Sequence, residues 1–448
     1  MRLQTRKILD RAFAGLGVLA IVLMAAALLI LLGPMFMRGA GAIFFTGTVE
    51  HRRLMLEKFE RGSRAQVEAE IDSARAAREP VYRTIAEFEQ RIAAGDGAER
   101  AKYGKSLKEL KKALQVLLGP APGSVRPMLM RDQYGQTRWD RAQVKLARVL
   151  YREEWDYSDP KKGGVLTLKP RAADFAGTLL EAIFPYLERN LDKMLLPHRT
   201  VYWQFLTDES FDSHFFGGIW PEILGTFYLT IGAMLLAIPM GVIAAIYLTE
   251  YARESRLLDL LRTCISTLAG VPSIVFGLFG LAFFINAMRI SPSKSVLAGS
   301  MTLALMILPT VIRASEEAIR AVPKTYKEAA LSLGAGRWHA VWTIILPAAL
   351  PGILTGIVIS MGRAAGETAP IIFTAAVSVG KPLAIWQTLT QPTPALSWNI
   401  YNLATEHEAV DEVRHVQYGL VLVLVSLVLL LNLVAIVLRA RVAKRMRA

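Results

Sequence analysis

Long uncharged runs of apolar residues alternate along this sequence with segments that are rich in charge. Six runs reach or approach the ~20 residues that a helix needs to cross the hydrocarbon core of a membrane. They are Ala12–Met37, Ile223–Thr249, Thr263–Met288, Ser295–Ile312, Leu350–Gly362 with its continuation to Gly380, and Val416–Leu438. The fourth run is short, and charged residues interrupt the fifth. The pattern predicts an all-α polytopic membrane protein with six transmembrane helices.

The first apolar run has the features of either a retained anchor or a cleaved signal peptide. It follows a basic N-terminus and ends near the small residues Gly39 to Ala42. The uncharged stretch Ala12–Met37 is, however, longer than the ~7–15 residues of a normal signal-peptide core. The length predicts that residues 1–37 form a transmembrane anchor that stays with the protein.

A long polar segment, residues 38–220, separates the first span from the second and is predicted to be an extracytoplasmic insert. Between about His51 and Leu118 its apolar residues recur at helical spacing, with a break at Ala94–Gly97. We expect helices that fold back on each other in a coiled-coil-like manner. The remaining five spans form a membrane core over residues 221–448.

The second half of the insert is predicted from weaker signals. A stretch rich in proline and glycine, Gly119–Gly123, is expected to end the helical unit. Beyond it, Val165–Leu168 is predicted to be a strand and Phe175–Leu196 a further helix.

The composition agrees with a chain that is partly in membrane and partly in water. Hydrophobic residues make up 53% of the 448 residues and charged residues 20%, which is apolar for a soluble domain and charged for a bare membrane bundle. The net charge of +14 is concentrated beside the apolar runs. This distribution indicates membrane topology and not a nucleic-acid-binding surface.

The basic residues also predict the orientation of the chain. Most Lys and Arg residues outside residues 50–221 fall in four segments that share one side of the membrane. These segments are the N-terminus, Arg253–Arg262, Arg313–Arg337 and the tail from Arg439. The positive-inside rule therefore predicts a multi-pass protein of the bacterial cytoplasmic (inner) membrane with both termini in the cytoplasm.

The sequence offers no candidate for catalysis, metal binding or a bound cofactor. Cys264 is the single cysteine, which excludes a disulfide framework within the chain and a cysteine-based zinc site. Tyr103–Ser106 resembles the end of a P-loop, but Glu99 stands where that motif requires glycine. The acidic and histidine residues at 406–415 match no metal-ligand spacing. If the protein drives active transport, another chain supplies the ATP hydrolysis.

The segment between the fourth and fifth spans carries a fixed pattern of residues. Ala329 and Ala330 are small enough to enter a groove closely, Gly334 permits a sharp turn, and Pro347 sets the start of the next span. Composition alone favours an amphipathic connector that lies on the membrane. The full pattern, EAA-x3-G-x9-I-x-L-P, instead resembles the EAA loop of ABC-importer permeases, and its fixed positions are Glu328, Ala329, Ala330, Gly334, Ile344, Leu346 and Pro347.

This resemblance implies a fold and a role for the segment. In that family the loop is the coupling helix that docks on the ATPase subunit. The chain is therefore expected to have the type I ABC-importer permease fold, with Glu328, Ala329, Ala330, Gly334, Leu346 and Pro347 coupling it to an ATPase.

An arginine and a carboxylate lie inside the fifth apolar run, where ionisable residues are costly and usually face a partner or a pathway. Arg363 and Glu367 are four residues apart, so they share a helix face if the helix continues through Gly366. One interpretation is a mutual salt bridge that locks the bundle. In the other, Arg363 attracts an oxyanion and Glu367 accepts a hydrogen bond from a protonated one such as hydrogen phosphate, which sulfate cannot offer at neutral pH.

The residues around this pair narrow the substrate. Gly362–Pro370 resembles the RAAGETAP stretch of phosphate-importer permeases of the PstA type. The resemblance extends from about Trp220 to Ala448, includes the LPTVIR sequence before the loop, and does not cover the insert. It implies a permease subunit that moves inorganic phosphate, with Arg363, Glu367 and Thr368 in the substrate pathway.

The same resemblance draws attention to Arg313 and Glu316, the first charges after the fourth span. Their i, i+3 spacing permits a pair at the membrane edge. Alternatively, they form a positive-inside anchor with an exposed acid, or a charged gate with Arg363. Both residues are second candidates for the substrate pathway.

The resemblance also implies partners. They are a second homologous permease that forms a heterodimer with this chain, two ATPase subunits that bind ATP and Mg, and an extracytoplasmic phosphate-binding protein, besides membrane lipid. No nucleic-acid partner and no cofactor on this chain are expected. The residues leave open a permease for phosphonate, sulfate or molybdate, a membrane receptor or signalling scaffold, and an assembly or regulatory subunit. The insert would dock the binding protein or the partner permease, or brace the bundle.

Overall fold

The computed structural model describes most of the chain, namely residues 3–95, 97–156 and 164–445. Asp96 of the predicted helix break and the outermost residues of the predicted terminal domains, 1–2 and 446–448, lie outside the described residues. The first helix, α1 (Leu3–Ala40), carries the first apolar run. The chain forms two compact units, one of Ile43–Tyr202 and the other of Met1–Ala42 with Trp203–Ala448.

The unit Ile43–Tyr202 is mainly helical and its two ends meet in a short sheet. Its elements are β1 (Phe44–Gly47), α2 (Val49–Phe59), α3 (Arg64–Ala94), α4 (Gly97–Leu118), α5 (Trp139–Leu150), β2 (Tyr151–Asp156), β3 (Val165–Pro170), α6 (Ile183–Leu195) and β4 (His198–Val201). β1 pairs antiparallel with β4, with Phe44 opposite Val201 and Gly47 opposite His198. The chain therefore enters and leaves this unit at neighbouring positions.

The core of this unit is formed by the apolar faces of its long helices. Val81, Ile85 and Phe88 of α3 are buried together with Leu110 of α4 and Leu187 of α6. The helical spacing predicted these α3 positions, because residues three and four apart lie on one face of a helix. The predicted break between the two long helices is also confirmed, since α3 ends at Ala94 and α4 begins at Gly97.

One expectation for the second half of the unit is wrong and two are confirmed. α4 ends at Leu118 and Gly119 follows at φ 91°, so the stretch of long helices ends at the predicted place, although α5 and α6 complete the same core. The predicted helix at Phe175–Leu196 begins only at Ile183, because left-handed Gly177 (φ 73°) interrupts the chain between two 3-10 turns. The predicted strand is confirmed as β3, and its antiparallel partner β2 was missed.

A buried ion pair and the hydrogen bonds of its arginine join four helices inside this unit. Arg78 Nη1 lies 2.7 Å from Glu50 Oε1 and 2.9 Å from the carbonyl oxygen of Leu118. Its Nε donates a 2.8 Å hydrogen bond to the carbonyl oxygen of Met194. Because Leu118 and Met194 stand at the ends of α4 and α6, the arginine of α3 holds both helix ends against Glu50 of α2.

The stability of this unit is expected to fall in acid because of His51. Burial, and then the charges of Arg138 and Arg52, lower the pKa of His51 from 6.5 to about 3. The unfolded chain therefore takes up a proton near pH 6.5 that the folded unit does not take up until near pH 3. The free energy of unfolding should fall as pH drops through this window, by about 1.4 kcal/mol per pH unit where only the unfolded imidazole is protonated.

The prediction is checked by measuring the urea concentration at which half of the molecules have residues 43–202 unfolded, in the full chain, at neutral pH and near pH 5. A brief protease pulse reports the unfolded fraction. His51→Phe keeps an aromatic ring between Phe45 and Tyr202, which contact the His51 ring edge-on, and should remove most of the difference. His198→Gln is the matched control, because His198 is exposed. An equal pH dependence in His51→Phe would contradict the assignment.

The second unit contains the predicted membrane core. After the short strands β5 (Ser210–Phe211) and β6 (Phe216–Gly217), its helices are α7 (Trp220–Ile246), α8 (Arg256–Leu268), α9 (Ser273–Gly280), α10 (Val296–Arg320), α11 (Lys324–Ser332), α12 (Arg337–Ala340), α13 (Leu346–Gly366), α14 (Ala369–Thr374), α15 (Leu396–Thr405) and α16 (Val410–Arg445). π-helical turns continue α7, α9 and α12 without a break, at Tyr247–Tyr251, Leu281–Ala287 and Val341–Ile345.

The spans agree with the sequence pattern in number and differ in shape. Within the described residues, five helices are long and apolar enough to cross a membrane, and a bent pair makes a sixth if it is counted as one span. That pair, α8 and α9 with its π turn, bends by 99°, so the third run is not one straight helix. The bend falls at Gly270–Pro272, where proline cannot continue the helix. The fifth helix ends at Gly366 and not at Gly380.

Small residues bring α10 and α13 close together. A Cβ on Gly352 would lie 2.7 Å from Ala318 Cβ, and one on Gly356 would lie 2.2 Å from Ala314 Cβ. The two contacts run in opposite chain directions, so the helices are antiparallel. Close approach through small residues is typical of helix packing in membranes, where van der Waals contact replaces the hydrophobic effect between helices. These contacts fix the positions of Arg313 and Arg363 relative to each other along the helix axes.

Candidate functional site

The segment that carries the EAA pattern forms a short helix, a tight turn and a return to the membrane helix. α11 ends at Ser332, and Gly334 follows at φ 84°. The Gly334 amide donates to the carbonyl oxygen of Leu331 at 3.0 Å, and the Ala335 amide donates to that of Ala330 at 3.1 Å. These two bonds form a Schellman motif, in which the left-handed position favours glycine. The sharp turn expected at Gly334 is therefore confirmed.

One face of this coupling segment, residues 324–345, is exposed and apolar. Glu328 and Ala329 are exposed, whereas Ala330 is buried against the rest of the unit. Leu333, at the tip of the turn, is 90% exposed. Further exposed apolar side chains of the segment are Tyr326, Leu331, Trp338 and Trp342. Several large apolar side chains exposed within one short segment are typical of a protein-binding face.

The opposite face of the coupling segment is attached to the membrane helices. Lys327 forms an ion pair with Glu250 in the turn that continues α7. Val341 and Ile345 are buried with Ala245 of α7 and Ile319 of α10, and Leu346 packs against the same cluster. Pro347 is the second residue of α13, but the span does not start there as expected, because α12 and its π turn lead directly into α13 and the span extends from Arg337 to Gly366. A force on the exposed face would therefore be transmitted to three membrane helices.

Arg363 and Glu367 form a pair at the end of α13. Arg363 Nε lies 3.3 Å from Glu367 Oε1, and the side chains are 38% and 21% exposed. The contact uses Nε alone, and the two terminal nitrogens of the guanidinium have no hydrogen-bond partner among the described residues. The mutual salt bridge considered above is therefore present. It leaves donors of Arg363 available to an anion.

α13 ends at Gly366, beside the Arg363–Glu367 pair, and the helical path of the chain is broken there. Glu367 is the first residue after α13 and has extended backbone angles. Its carbonyl oxygen accepts a 3.1 Å hydrogen bond from Ser397 Oγ near the start of α15. Thr368 precedes α14, and its carbonyl oxygen accepts a 3.2 Å hydrogen bond from the Ile371 amide. A broken helix places backbone polar groups beside the charged pair, an arrangement tolerated in membranes where it lines a cavity.

The structure does not pair Arg313 with Glu316, although their i, i+3 spacing permits a pair, and Glu316 is not the exposed acid of the alternative interpretation, since its side chain is 13% exposed. Glu316 Oε1 lies 3.1 Å from Arg262 Nε and 2.6 Å from Arg320 Nη2. Arg313 donates to the hydroxyl of Ser266. A charged gate with Arg363, the third alternative, is not formed by contact among the described residues, because the charged partner of Arg363 is Glu367. Glu316 instead accepts hydrogen bonds from Arg262 of α8 and from Arg320, one turn further along α10.

The sequence interpretation missed the residues that surround Arg313 and Glu316. Arg262, Ser266 and Arg320 line one cavity with them, with a volume of about 260 Å³. In the sequence, Arg262 contributes only to the predicted membrane orientation, and Ser266 lies within the predicted third span. Their proximity to α10 depends on the bend between α8 and α9, which hydropathy does not report.

A second buried polar cluster was also missed. His214 Nε2 lies 2.8 Å from Glu222 Oε1, and Asn399 Nδ2 donates to the same oxygen at 3.0 Å and to the carbonyl oxygen of Ser378 at 3.0 Å. The cluster holds the chain before α7 against α15. Within the described part of the chain, no group of three or more His, Cys, Asp or Glu residues is arranged to hold a metal ion.

Comparison with known proteins gives consistent matches for this unit. The profile of the family described as "Binding-protein-dependent transport system inner membrane component" matches residues 237–448. That range contains the coupling segment and the Arg363–Glu367 pair, and it excludes the unit Ile43–Tyr202.

Three individual relatives extend the comparison. A probable ABC transporter permease protein, YqgI, of Bacillus subtilis (strain 168) is 35% identical over 254 residues, which are 55% of this chain and 85% of the relative. The phosphate transport system permease protein PstA 1 of Mycobacterium tuberculosis (strain H37Rv) is 33% identical over 249 residues, covering 56% of this chain and 78% of the relative. PstA of Yersinia pestis is 37% identical over 226 residues, covering 50% and 73%.

Proposed function

The chain belongs to the permeases of binding-protein-dependent ABC transport systems, in the group of PstA, and we propose that it forms one half of a pore that imports inorganic phosphate. It is a transport subunit with several membrane-spanning helices. We place it in the bacterial inner membrane with both termini in the cytoplasm, because its basic residues flank the spans on that side.

The observation that carries the phosphate proposal is the half-open Arg363–Glu367 pair. A guanidinium whose Nε binds a carboxylate 3.3 Å away still presents two nitrogens in a plane, which suits the oxygens of a phosphate group. Glu367 lowers the net charge, so the anion is held weakly and leaves quickly. A transport site has to bind in this way, because each cycle requires both delivery and release.

The position of Glu367 also favours hydrogen phosphate over sulfate as the substrate. A carboxylate beside the arginine repels a fully ionised oxyanion and accepts a hydrogen bond from one that keeps a proton, such as hydrogen phosphate. Sulfate has no proton to donate at neutral pH. Thr368 at the start of α14 supplies a further hydroxyl close to the pair in sequence.

The partners follow from the coupling segment. We propose that the exposed face around Glu328, Ala329 and Leu333 docks on an ATPase subunit, which supplies the ATP and Mg that this chain is not expected to bind. ATP binding would close the ATPase pair, push the coupling segment and tilt α7, α10 and α13 through the cluster around Ile345. A second homologous permease would complete the pore, and an external phosphate-binding protein would deliver the substrate.

The proposal is tested by uptake of labelled phosphate in cells that lack their own high-affinity phosphate system. The cells express the neighbouring transporter subunits with or without this chain, and labelled sulfate is measured in parallel. We expect phosphate uptake that requires the chain, with no gain in sulfate uptake. Sulfate uptake without phosphate uptake would assign the permease to another oxyanion. Uptake of neither, with all subunits present in the membrane, would contradict the proposal.

A further inference from the structure

A groove with a volume of about 730 Å³ lies between the coupling segment and the membrane helices. Its walls are the end of α10 with the turn that follows it, the start of α11, the π turn before α13, the first turns of α13, and Arg439 of α16. Apart from Tyr326, Thr343 and Arg439, the lining residues are aliphatic, proline or glycine. The groove is therefore apolar, with one cation in its wall, and its volume suits a small-molecule ligand.

The groove lies where three candidate spans begin or end. The span of α10 ends at Arg320, the span that contains α13 begins at Arg337, and the span of α16 ends at Arg441. Two of the lining residues, Ala318 and Arg439, stand just before such an end. The groove therefore lies at the border between hydrocarbon and headgroups, in the leaflet on the side of the coupling segment. An apolar surface at this depth is solvated by lipid more favourably than by water.

Arg439 is the lining cation whose charge the chain leaves uncompensated. It is exposed and makes no hydrogen bond or ion pair with the described residues, and the described lining contains no carboxylate. Nearby cations are neutralised, because Arg320 pairs with Glu316 and Lys327 pairs with Glu250. The planar guanidinium of Arg439 thus keeps its donors available for the oxygens of a phosphate ester.

We propose that this groove binds one anionic phospholipid from the leaflet on the side of the coupling segment. The Arg439 guanidinium contacts the phosphodiester, and an acyl chain covers the aliphatic wall along Ala348 and Gly352. The Tyr326 side chain is 53% exposed, and its hydroxyl, which has no hydrogen-bond partner among the described residues, donates to the ester region. Basic pockets between membrane helices are typical sites for the headgroups of anionic lipids.

The apolar lining favours a lipid over a free anion. An inorganic anion would meet one arginine and leave the rest of the wall uncovered, whereas a phospholipid pairs with the charge and covers the apolar surface together. An anionic headgroup is favoured over a zwitterionic one, because the lining supplies a cation and its described residues supply no carboxylate for a choline or an amine. That this leaflet is the cytoplasmic one rests on the proposed function, whereas the lipid chemistry rests on the groove.

The site can be tested by photo-crosslinking from a cysteine in its wall. Ala348 is exposed and lines the groove, so Ala348→Cys in a Cys264→Ser background carries a benzophenone attached through its thiol. The assembled transporter is placed in discs of equal amounts of phosphatidylglycerol and phosphatidylcholine and is irradiated. The mass of each adduct identifies the captured molecule. Leu429→Cys reports the ratio in the surrounding bilayer, since Leu429 is exposed on α16 and is outside the lining.

We expect the label of Ala348→Cys to capture phosphatidylglycerol over phosphatidylcholine about fivefold more often than the label of Leu429→Cys does. Adding Arg439→Gln should abolish this preference. Arg441→Gln is the matched control. It removes the same charge two residues further along α16, outside the lining, and should keep the preference, because residues two apart do not share a helix face.

A preference that survives Arg439→Gln would overturn the site, as would capture of the two lipids in the bilayer ratio by the intact chain. Adducts to another subunit in place of lipid would assign the groove to a protein interface and also overturn the proposal, and so would the absence of any lipid adduct. Crosslinking needs no transport. Selective capture of phosphatidylglycerol by a transporter that takes up no phosphate would therefore contradict the proposed function and leave the lipid site in place.

Discussion

Replacing Arg363 with glutamine is expected to reduce phosphate uptake by the assembled transporter by about 10- to 100-fold, the range for losing a hydrogen bond between charged groups. Glutamine keeps a donor of similar length but loses the charge and the second nitrogen that the anion would use. Folding should be little affected. The pair with Glu367 is only partly buried, and such exposed ion pairs contribute ~0–1 kcal/mol.

Uptake is measured at equal membrane abundance for Arg363→Gln, Glu367→Gln and the double variant. This double-mutant cycle distinguishes a pathway residue from a structural partner. If Arg363 served only to neutralise Glu367, the double variant would recover to the level of Glu367→Gln. If Arg363 contacts the anion, the double variant should remain as defective as Arg363→Gln. Recovery would leave the coupling segment as the main functional site of this chain.

Gly334→Ala is expected to lower phosphate uptake by about tenfold, because a side chain at left-handed φ costs about 1–2 kcal/mol. Gly334 has φ 84°, and a Cβ there would meet nothing within 4 Å. The substitution therefore acts through backbone strain and not through steric crowding. A turn that relaxes to another φ would break the Schellman bonds and shift α11 relative to α12, so the exposed face would no longer match the ATPase.

The sequence offers a matched control two residues away. A Cβ on Gly336 also meets nothing within 4 Å, but its φ is −69°, which alanine adopts without strain. Gly336→Ala should therefore change uptake by no more than about twofold. Both variants are compared for uptake and for ATP hydrolysis stimulated by the binding protein. Equal losses in the two variants would indicate sensitivity to volume and contradict the turn-based explanation, as would normal coupling in Gly334→Ala.

The sequence by itself determined the features that depend on local composition or on a fixed order of residues. The apolar runs predicted the membrane helices, because hydrocarbon excludes polar side chains whatever the neighbouring helices are. The EAA pattern predicted the coupling segment and its turn at Gly334, since one residue must adopt a left-handed backbone. The spacing of Arg363 and Glu367 predicted their contact, because residues four apart lie on one helix face.

Only the tertiary structure decided which distant residues meet. The spacing permits Glu316 to pair with Arg313 three residues away, yet it binds Arg262, 54 residues earlier in the chain. That choice depends on the 99° bend between α8 and α9 and on the close approach of α10 to its neighbours, neither of which hydropathy encodes. The cluster of His214, Glu222 and Asn399 likewise joins residues that are 177 and 185 positions apart. The physical reason is that a buried charge binds whichever polar group the packing brings within reach, and packing depends on side chains from several helices at once.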